Sequence, residues 1–293
     1  MQRVIVLLSF LTLQYNLLAQ ERELVSVSYG LSRLSYNDTA ANSQLTDIKL
    51  RLPLYLKGKS AFSGTVGYRN LRLHHFPDEY SSPLHGIQGQ AAWLYKFTQR
   101  RSLTVFVQAG LFSDMKDISK KDFRYGAGFR YRFRHSDRLS TGWGLAYARQ
   151  FFGNQIIPFI DIDYSPGQKW TLSGQFPVKP QLFYHINKRI STGIELSGEA
   201  ASFRLSENDR ANQFLQVNQW TGLFSVVCAA ARHWQIKLGA GWNFRQSFRL
   251  YEDVSSGSWT LITIPLRQKA DPMQKIDKGG ANIQLSLSYK PFQ

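Results

Sequence analysis

The sequence predicts an all-β protein, a single transmembrane antiparallel up-and-down β-barrel of about fourteen strands, with twelve as the other count it allows. Three observations carry this. Residues 123–134 read Phe-Arg-Tyr-Gly-Ala-Gly-Phe-Arg-Tyr-Arg-Phe-Arg. Because strand side chains alternate, Phe123, Tyr125, Ala127, Phe129, Tyr131 and Phe133 share one face and Arg124, Gly126, Gly128, Arg130, Arg132 and Arg134 the other. A wall with hydrocarbon on one side and trapped water on the other demands that division. The same period of two recurs along the chain, interrupted alternately by short turns and longer polar loops. Mean hydropathy is -0.30, and after the first residues no apolar run reaches the roughly twenty residues of a spanning helix. Barrels pass unnoticed by hydropathy because only every second residue of a strand is apolar.

The chain opens with Met1-Gln2-Arg3, an apolar run from Val4 to Leu13, and Leu17-Leu18-Ala19-Gln20, the pattern of a secretory leader cut after Ala19. Residues 1–19 are therefore read as a signal peptide and residues 20–293 as one outer-membrane β-barrel without an internal boundary. Leu17 is bulkier than such cleavage sites prefer; the other reading, an N-terminal anchor, needs a longer apolar run. No cysteine follows the cut, so the start is not that of a lipoprotein. Cys228 is the only cysteine, which excludes an internal disulfide and a Cys-based zinc site. The 22 Gly and 14% aromatic residues supply the small and large side chains of curved sheets and interfacial girdles.

Taken in order, strand one is expected near Leu24 to Leu34. Strand two runs near Asp47 to Leu56, with Ile48, Leu50, Leu52, Leu54 and Leu56 opposite Asp47, Lys49 and Arg51, ending at the tight turn Lys57-Gly58-Lys59. Strand three covers Ala61 to Leu73. Strand four, Gly86 to Thr98, sets Ile87, Ala91, Trp93, Tyr95 and Phe97 against Gln88, Gln90 and Lys96, and strand five turns Leu103, Val105, Val107, Ala109 and Leu111 outward. The arginine-rich strand is sixth. The seventh places Trp143, Leu145 and Tyr147 opposite Gly142, Gly144 and Ala146, and the eighth turns Asp161 and Asp163 inward. Strands nine and ten, near Lys169 to Phe176 and Gln181 to Ile186, are short; without them the count falls to twelve. Strand eleven faces Glu195 and Glu199 inward. Strand twelve, Trp220 to Ala230, slips phase near Gln219, which predicts a bulge. Strand thirteen opposes Trp234, Ile236, Leu238, Ala240, Trp242 and Phe244 to Gln235, Lys237, Gly239, Gly241, Asn243 and Arg245. A long segment from Tyr251 to Gly280, where Trp259 to Leu266 offers one further strand, precedes the last strand, with Ile283, Leu285, Leu287 and Tyr289 on one face.

The net charge is +16, to which the leader contributes only Arg3. Nucleic-acid modules gather basic residues on one patch or tail, whereas here they alternate with rings or sit in turns such as Gln99-Arg100-Arg101 and Asn187-Lys188-Arg189. A cationic lumen and basic rims toward outer-membrane lipids are the expectation, with no nucleic-acid partner. The residues expected to face that lumen are Arg124, Arg130, Arg132, Arg134, Asp161, Asp163, Glu195, Glu199, Lys237 and Arg245. The carboxylates balance the arginines, since poorly solvated charge needs partners.

The last strand is similar to the signal through which the barrel-assembly machinery recognises outer-membrane proteins; Tyr289 keeps its phase, and Phe292 follows the interruption at Pro291. Together with the Ala19-Gln20 start and the Trp170-Thr171-Leu172 to Phe176-Pro177 stretch with Tyr184, it makes most of the mature chain resemble the uncharacterised outer-membrane β-barrel families of Bacteroidetes-type, Gram-negative bacteria. The resemblance implies fold and location but no activity.

Chemistry is sparse. His135-Ser136-Asp137 has the residue types of a nucleophile and base but occupies a turn, where Ser and Asp serve the backbone. His185 beside Tyr184 and His233 beside Trp234 read as interfacial residues. His74, His75, Asp78, Glu79 and His85 lack diagnostic metal spacing, and no phosphate loop, nucleophile elbow or metalloprotease motif occurs, so no catalytic, metal or cofactor site is assigned. The leading expectation is a porin-like channel or transporter with a cationic lumen; the arginine ladder reads first as a wall that keeps the interior hydrated and cross-linked, and second as an element that would attract an anionic solute. A lipid-modifying enzyme is one alternative, and a plugged structural or binding barrel, with residues 251–280 folded inward or against a partner, is the other.

Overall fold

The computed structural model describes residues 23–36, 39–80, 82–205, 213–252, 258–266 and 271–291. The expected leader and Phe292 lie outside the described residues.

The strands are β1 (Val25–Tyr36), β2 (Thr39–Lys57), β3 (Ser60–His74), β4 (Leu84–Lys96), β5 (Arg101–Ser113), β6 (Phe123–Arg134), β7 (Leu139–Gln150), β8 (Gly153–Tyr164), β9 (Trp170–Phe176), β10 (Lys179–His185), β11 (Ile190–Arg204), β12 (Gln213–Ala229), β13 (Trp234–Glu252), β14 (Trp259–Leu261), β15 (Ile264–Pro265) and β16 (Gln274–Tyr289). Strands β1 to β13 pair in sequence, β13 pairs with β16, and β16 returns to β1 from Val25↔Tyr289 to Leu34↔Gly280. The result is a closed antiparallel barrel of 14 strands. Residues 259–266 do not enter the barrel: β14 and β15 form a small hairpin, and β14 lies parallel to β8.

Alternation sorts the side chains as hydrocarbon and water require. Val107 on β5, Trp143 on β7, Phe224 on β12 and Ile283 on β16 all point outward and are more than half exposed. At the short-turn end the outer rings touch in succession, Tyr55–Phe62–Trp93–Tyr95–Phe97–Tyr131–Trp143, with centroids 5.1 to 6.5 Å apart. Such a girdle marks a membrane–water boundary, where ring faces are buried and polar tips stay wet. The short turns follow local chemistry: Gly58 takes φ 55 in the two-residue connection between β2 and β3, a conformation a Cβ disfavours.

Two departures from a plain cylinder position the lumen. First, β9 and β10 have 7 residues each, fewer than the roughly nine to eleven a tilted strand needs to cross. Their connecting turn therefore ends part way up the wall. Above it, β8 pairs with β9 only from Ile160 to Tyr164, and β14 covers Asn154 to Ile156 of the freed edge. Second, β13 carries one extra residue, Phe244, so that Trp220 pairs with Arg245 and Thr221 with Asn243. The phase slip expected near Gln219 is this bulge, with its surplus residue on the partner strand.

Beyond the bulge the inward positions of β13 are Gln246, Phe248 and Leu250. Phe248 and Leu250 join Leu34, Leu71, Leu73, Leu84, Phe112, Phe203, Leu205, Leu215, Val217 and Ile276 in an apolar cluster inside the barrel at its loop end. Phe112 and Phe203 meet edge to face at 6.0 Å, and Phe76 and Phe248 at 5.1 Å. The tip of β11 leans across to the opposite wall, where Arg204 pairs with Ser113 of β5 in parallel register. There Arg204 Nη1 donates to Asp122 Oδ1 at 2.8 Å and to Ser119 Oγ at 2.8 Å. The plug is thus built from strand extensions, whereas the expected alternative drew it from residues 251–280.

Candidate functional site in the barrel lumen

Beneath the plug the lumen is polar. On one side a buried amide and hydroxyl network joins four strands: Asn243 Nδ2 donates to Ser32 Oγ at 2.9 Å, Asn282 Nδ2 to the same oxygen at 2.8 Å, and Thr221 Oγ1 and Gln219 Nε2 donate to Asn243 Oδ1 at 2.7 and 3.0 Å. Every member sits on an inward register position, so the network fixes strand alignment where the apolar plug gives way to water.

The charged residues follow the same register. Arg132 Nη2 lies 2.8 Å from Asp163, and Asp161 lies 3.6 Å from Arg130 and 3.8 Å from Arg132. Lys237 meets Glu195 at 2.9 Å. Arg69 binds Glu199 and, at 2.8 Å, Asp47, which also holds Lys49 at 3.3 Å. Arg134 stands at the rim, exposed, paired with Asp137 of the turn at 2.7 Å. Arg245 is a correction: strict alternation would face it inward, but the extra Phe244 shifts the strand, and Arg245 shares the outer face with Trp220 and is exposed. Arg124 is 7% exposed, lies over the Phe112 ring at 3.3 Å, and donates to Gln150 Oε1 and Ser202 Oγ.

Two adjoining cavities of about 350 Å³ each occupy the lumen and share Lys49, Arg69, Lys179, Glu199 and Ala201. Lys179 enters because the β9–β10 turn stops part way up the wall. The second cavity also presents Gln88, Gln108, Gln150, Gln155 and Gln175. Arg149 borders it from Tyr125's register position and donates to Asn154 Oδ1 at 3.1 Å. Residues 123–134 pointed to Arg124, while Arg69, Lys179 and the glutamines gave no comparable pattern; the signal for them was inward phase alone.

The other candidates separate. Ser136 Oγ accepts from the Arg138 and Leu139 amides, and His135 Nε2 pairs with Thr141 Oγ1 at 2.7 Å, so Ser136 shapes the turn and is not aligned with a base. His185 lies between Thr171 and Ser191 at 2.9 and 2.8 Å. His85 contacts Tyr68 Oη at 2.9 Å. Among the described residues no group of three His, Cys, Asp or Glu gathers as metal ligands do.

A closed 14-strand barrel with an apolar exterior and a charged interior defines the class of a porin-like transmembrane β-barrel. The chain belongs to the family described as Domain of unknown function (DUF6268), which it matches over residues 37–260. No curated protein matches it. Among solved structures it is similar to the NanC porin, at 10% identity and TM-score 0.42 over 91% of this chain and 99% of that one. It is also similar to the KdgM porin, at 10% identity and TM-score 0.34 over 90% and 98%. The toluene transporter TodX of Pseudomonas putida aligns at 9% identity and TM-score 0.37 over 96% and 94%.

Proposed function

We propose that this protein resides in the outer membrane of a Gram-negative bacterium of Bacteroidetes type and admits small anionic solutes through a lumen that the apolar plug keeps shut at rest. It arrives through a leader removed after Ala19, and the barrel-assembly machinery reads its last strand. Outer-membrane lipids solvate its apolar face, and the aromatic girdle seats it in the bilayer. The observation that carries the reading is the lumen itself: a water-accessible interior whose cations outnumber its carboxylates, inside a wall apolar enough for acyl chains. Arg124, Arg130, Arg132, Asp161, Asp163, Glu195, Glu199 and Lys237 line that path, and Arg134 stands at its mouth.

Planar-bilayer recording tests it. The wild-type protein should open rarely, and Phe203→Ala, which removes a ring 1% exposed at the plug's centre, should open often, with a reversal potential that reports anion preference. Silence from both proteins would defeat the proposal and favour the second reading, a plugged binding barrel, which the same apolar cluster supports.

A further inference from the structure

The second cavity is short of negative charge. Its one carboxylate among the described residues, Glu199, is engaged by Arg69, and Asp47 in the adjoining cavity is shared by Arg69 and Lys49. Among the described residues Lys179 makes no ion pair; Lys49, Arg69 and Lys237 are cations near it, and the carboxylates of the adjoining cavity it borders, Asp47, Glu195 and Glu199, are held by those cations. Arg124 is buried among rings and neutral acceptors, and its Nε has no hydrogen-bond partner. A buried guanidinium with a donor left over and no carboxylate in reach carries a desolvation cost that an incoming anion would offset. Gln88, Gln108 and Gln175 border the same space. Carboxamides both donate and accept, which matches hydroxyl groups. A volume of about 350 Å³ falls in the range of small-molecule sites.

We infer that this cavity binds a small anionic polyol, a sugar acid or sugar phosphate, with Arg124 and Lys179 holding the anion and Gln88, Gln108 and Gln175 meeting the hydroxyls. The inference deepens the transport reading by naming its solute class, but binding does not require passage. Arg124 reaches the cavity from beneath Phe112, so the anion is held at the underside of the plug.

Isothermal titration of the full chain in detergent decides it, with sodium glucuronate, glucose and inorganic phosphate as probes. Glucuronate should bind saturably, phosphate more weakly, and glucose not measurably. Arg124→Gln and Lys179→Gln should each weaken glucuronate at least tenfold. Should Arg124→Gln lose its heat-modifiable gel migration, Lys179→Gln, which has no ion pair to lose, decides alone. Absence of saturable binding by both anions, glucose binding equal to glucuronate, or full affinity in Lys179→Gln would overturn the site. A barrel that never conducts leaves the isotherm intact, whereas conduction without binding removes this inference and spares the transport reading.

Discussion

Asp122→Asn asks whether the plug can undock while the barrel stays closed. Asp122 is fully buried and its partner Arg204 nearly so, with 2.8 Å between them. The variant keeps an oxygen toward the Ser119 amide, which donates to Asp122 Oδ2 at 2.7 Å in the wild type, but withdraws the charge that faces Arg204. Removing one partner of a buried pair costs about 3–5 kcal/mol. At about 1.4 kcal/mol per factor of ten, detachment of the β11 tip from β5 becomes roughly 10²- to 4 × 10³-fold more frequent. The wall hydrogen bonds are untouched, so the loss is local. Amide hydrogen exchange read by mass spectrometry should show two to three and a half decades less protection at the Asp114 amide, which donates to the Arg204 carbonyl at 3.2 Å, and none lost in β6 and β7. Unchanged protection at Asp114, or equal loss in every strand, would refute the reasoning.

Three further outcomes are expected. Val107→Arg, on the outer face, should destabilise the folded protein in lipid vesicles by ~2–4 kcal/mol in urea titration, whereas Gln108→Arg, its inward neighbour, should shift the midpoint little. Cys228 is exposed on the outer wall, so a lipid-confined maleimide should label it and a membrane-impermeant one should not; the opposite pattern would turn the barrel inside out. In a Phe203→Ala background, Asp161→Asn should raise anion selectivity in reversal-potential measurements, since Arg130 and Arg132 then share one carboxylate fewer; unaltered selectivity would place Asp161 outside the conducting path.

Much of the wall was readable because one rule generates it. Residues 123–134 gave β6 to the residue, and Trp234 to Phe244 gave the face of β13 correctly up to the bulge. The short β9 and β10, the weakest pair in the sequence, are both present. Strand length was harder. Strand two was expected from Asp47, yet it begins at Thr39, because the polar residues ahead of it pair with β1 above the apolar belt and show no hydrocarbon pattern. The plug left no local trace either. Phe112, Phe203 and Phe248 lie far apart in the chain and meet only after closure, and nothing in the Glu199 to Arg204 stretch announces that it crosses to β5. Arg245 illustrates the limit most directly: alternation is counted residue by residue, so a single insertion inverts everything after it.

That insertion has a reach beyond its own position. Were Phe244 threaded into the regular ladder instead of bulged, the chain past it would turn Arg245, Ser247 and Arg249 toward the axis, and Phe248 and Leu250 would be handed to the outside. One backbone unit thus acts as a crossover between two solvents, letting the same ribbon serve bilayer along one stretch and stopper along the next.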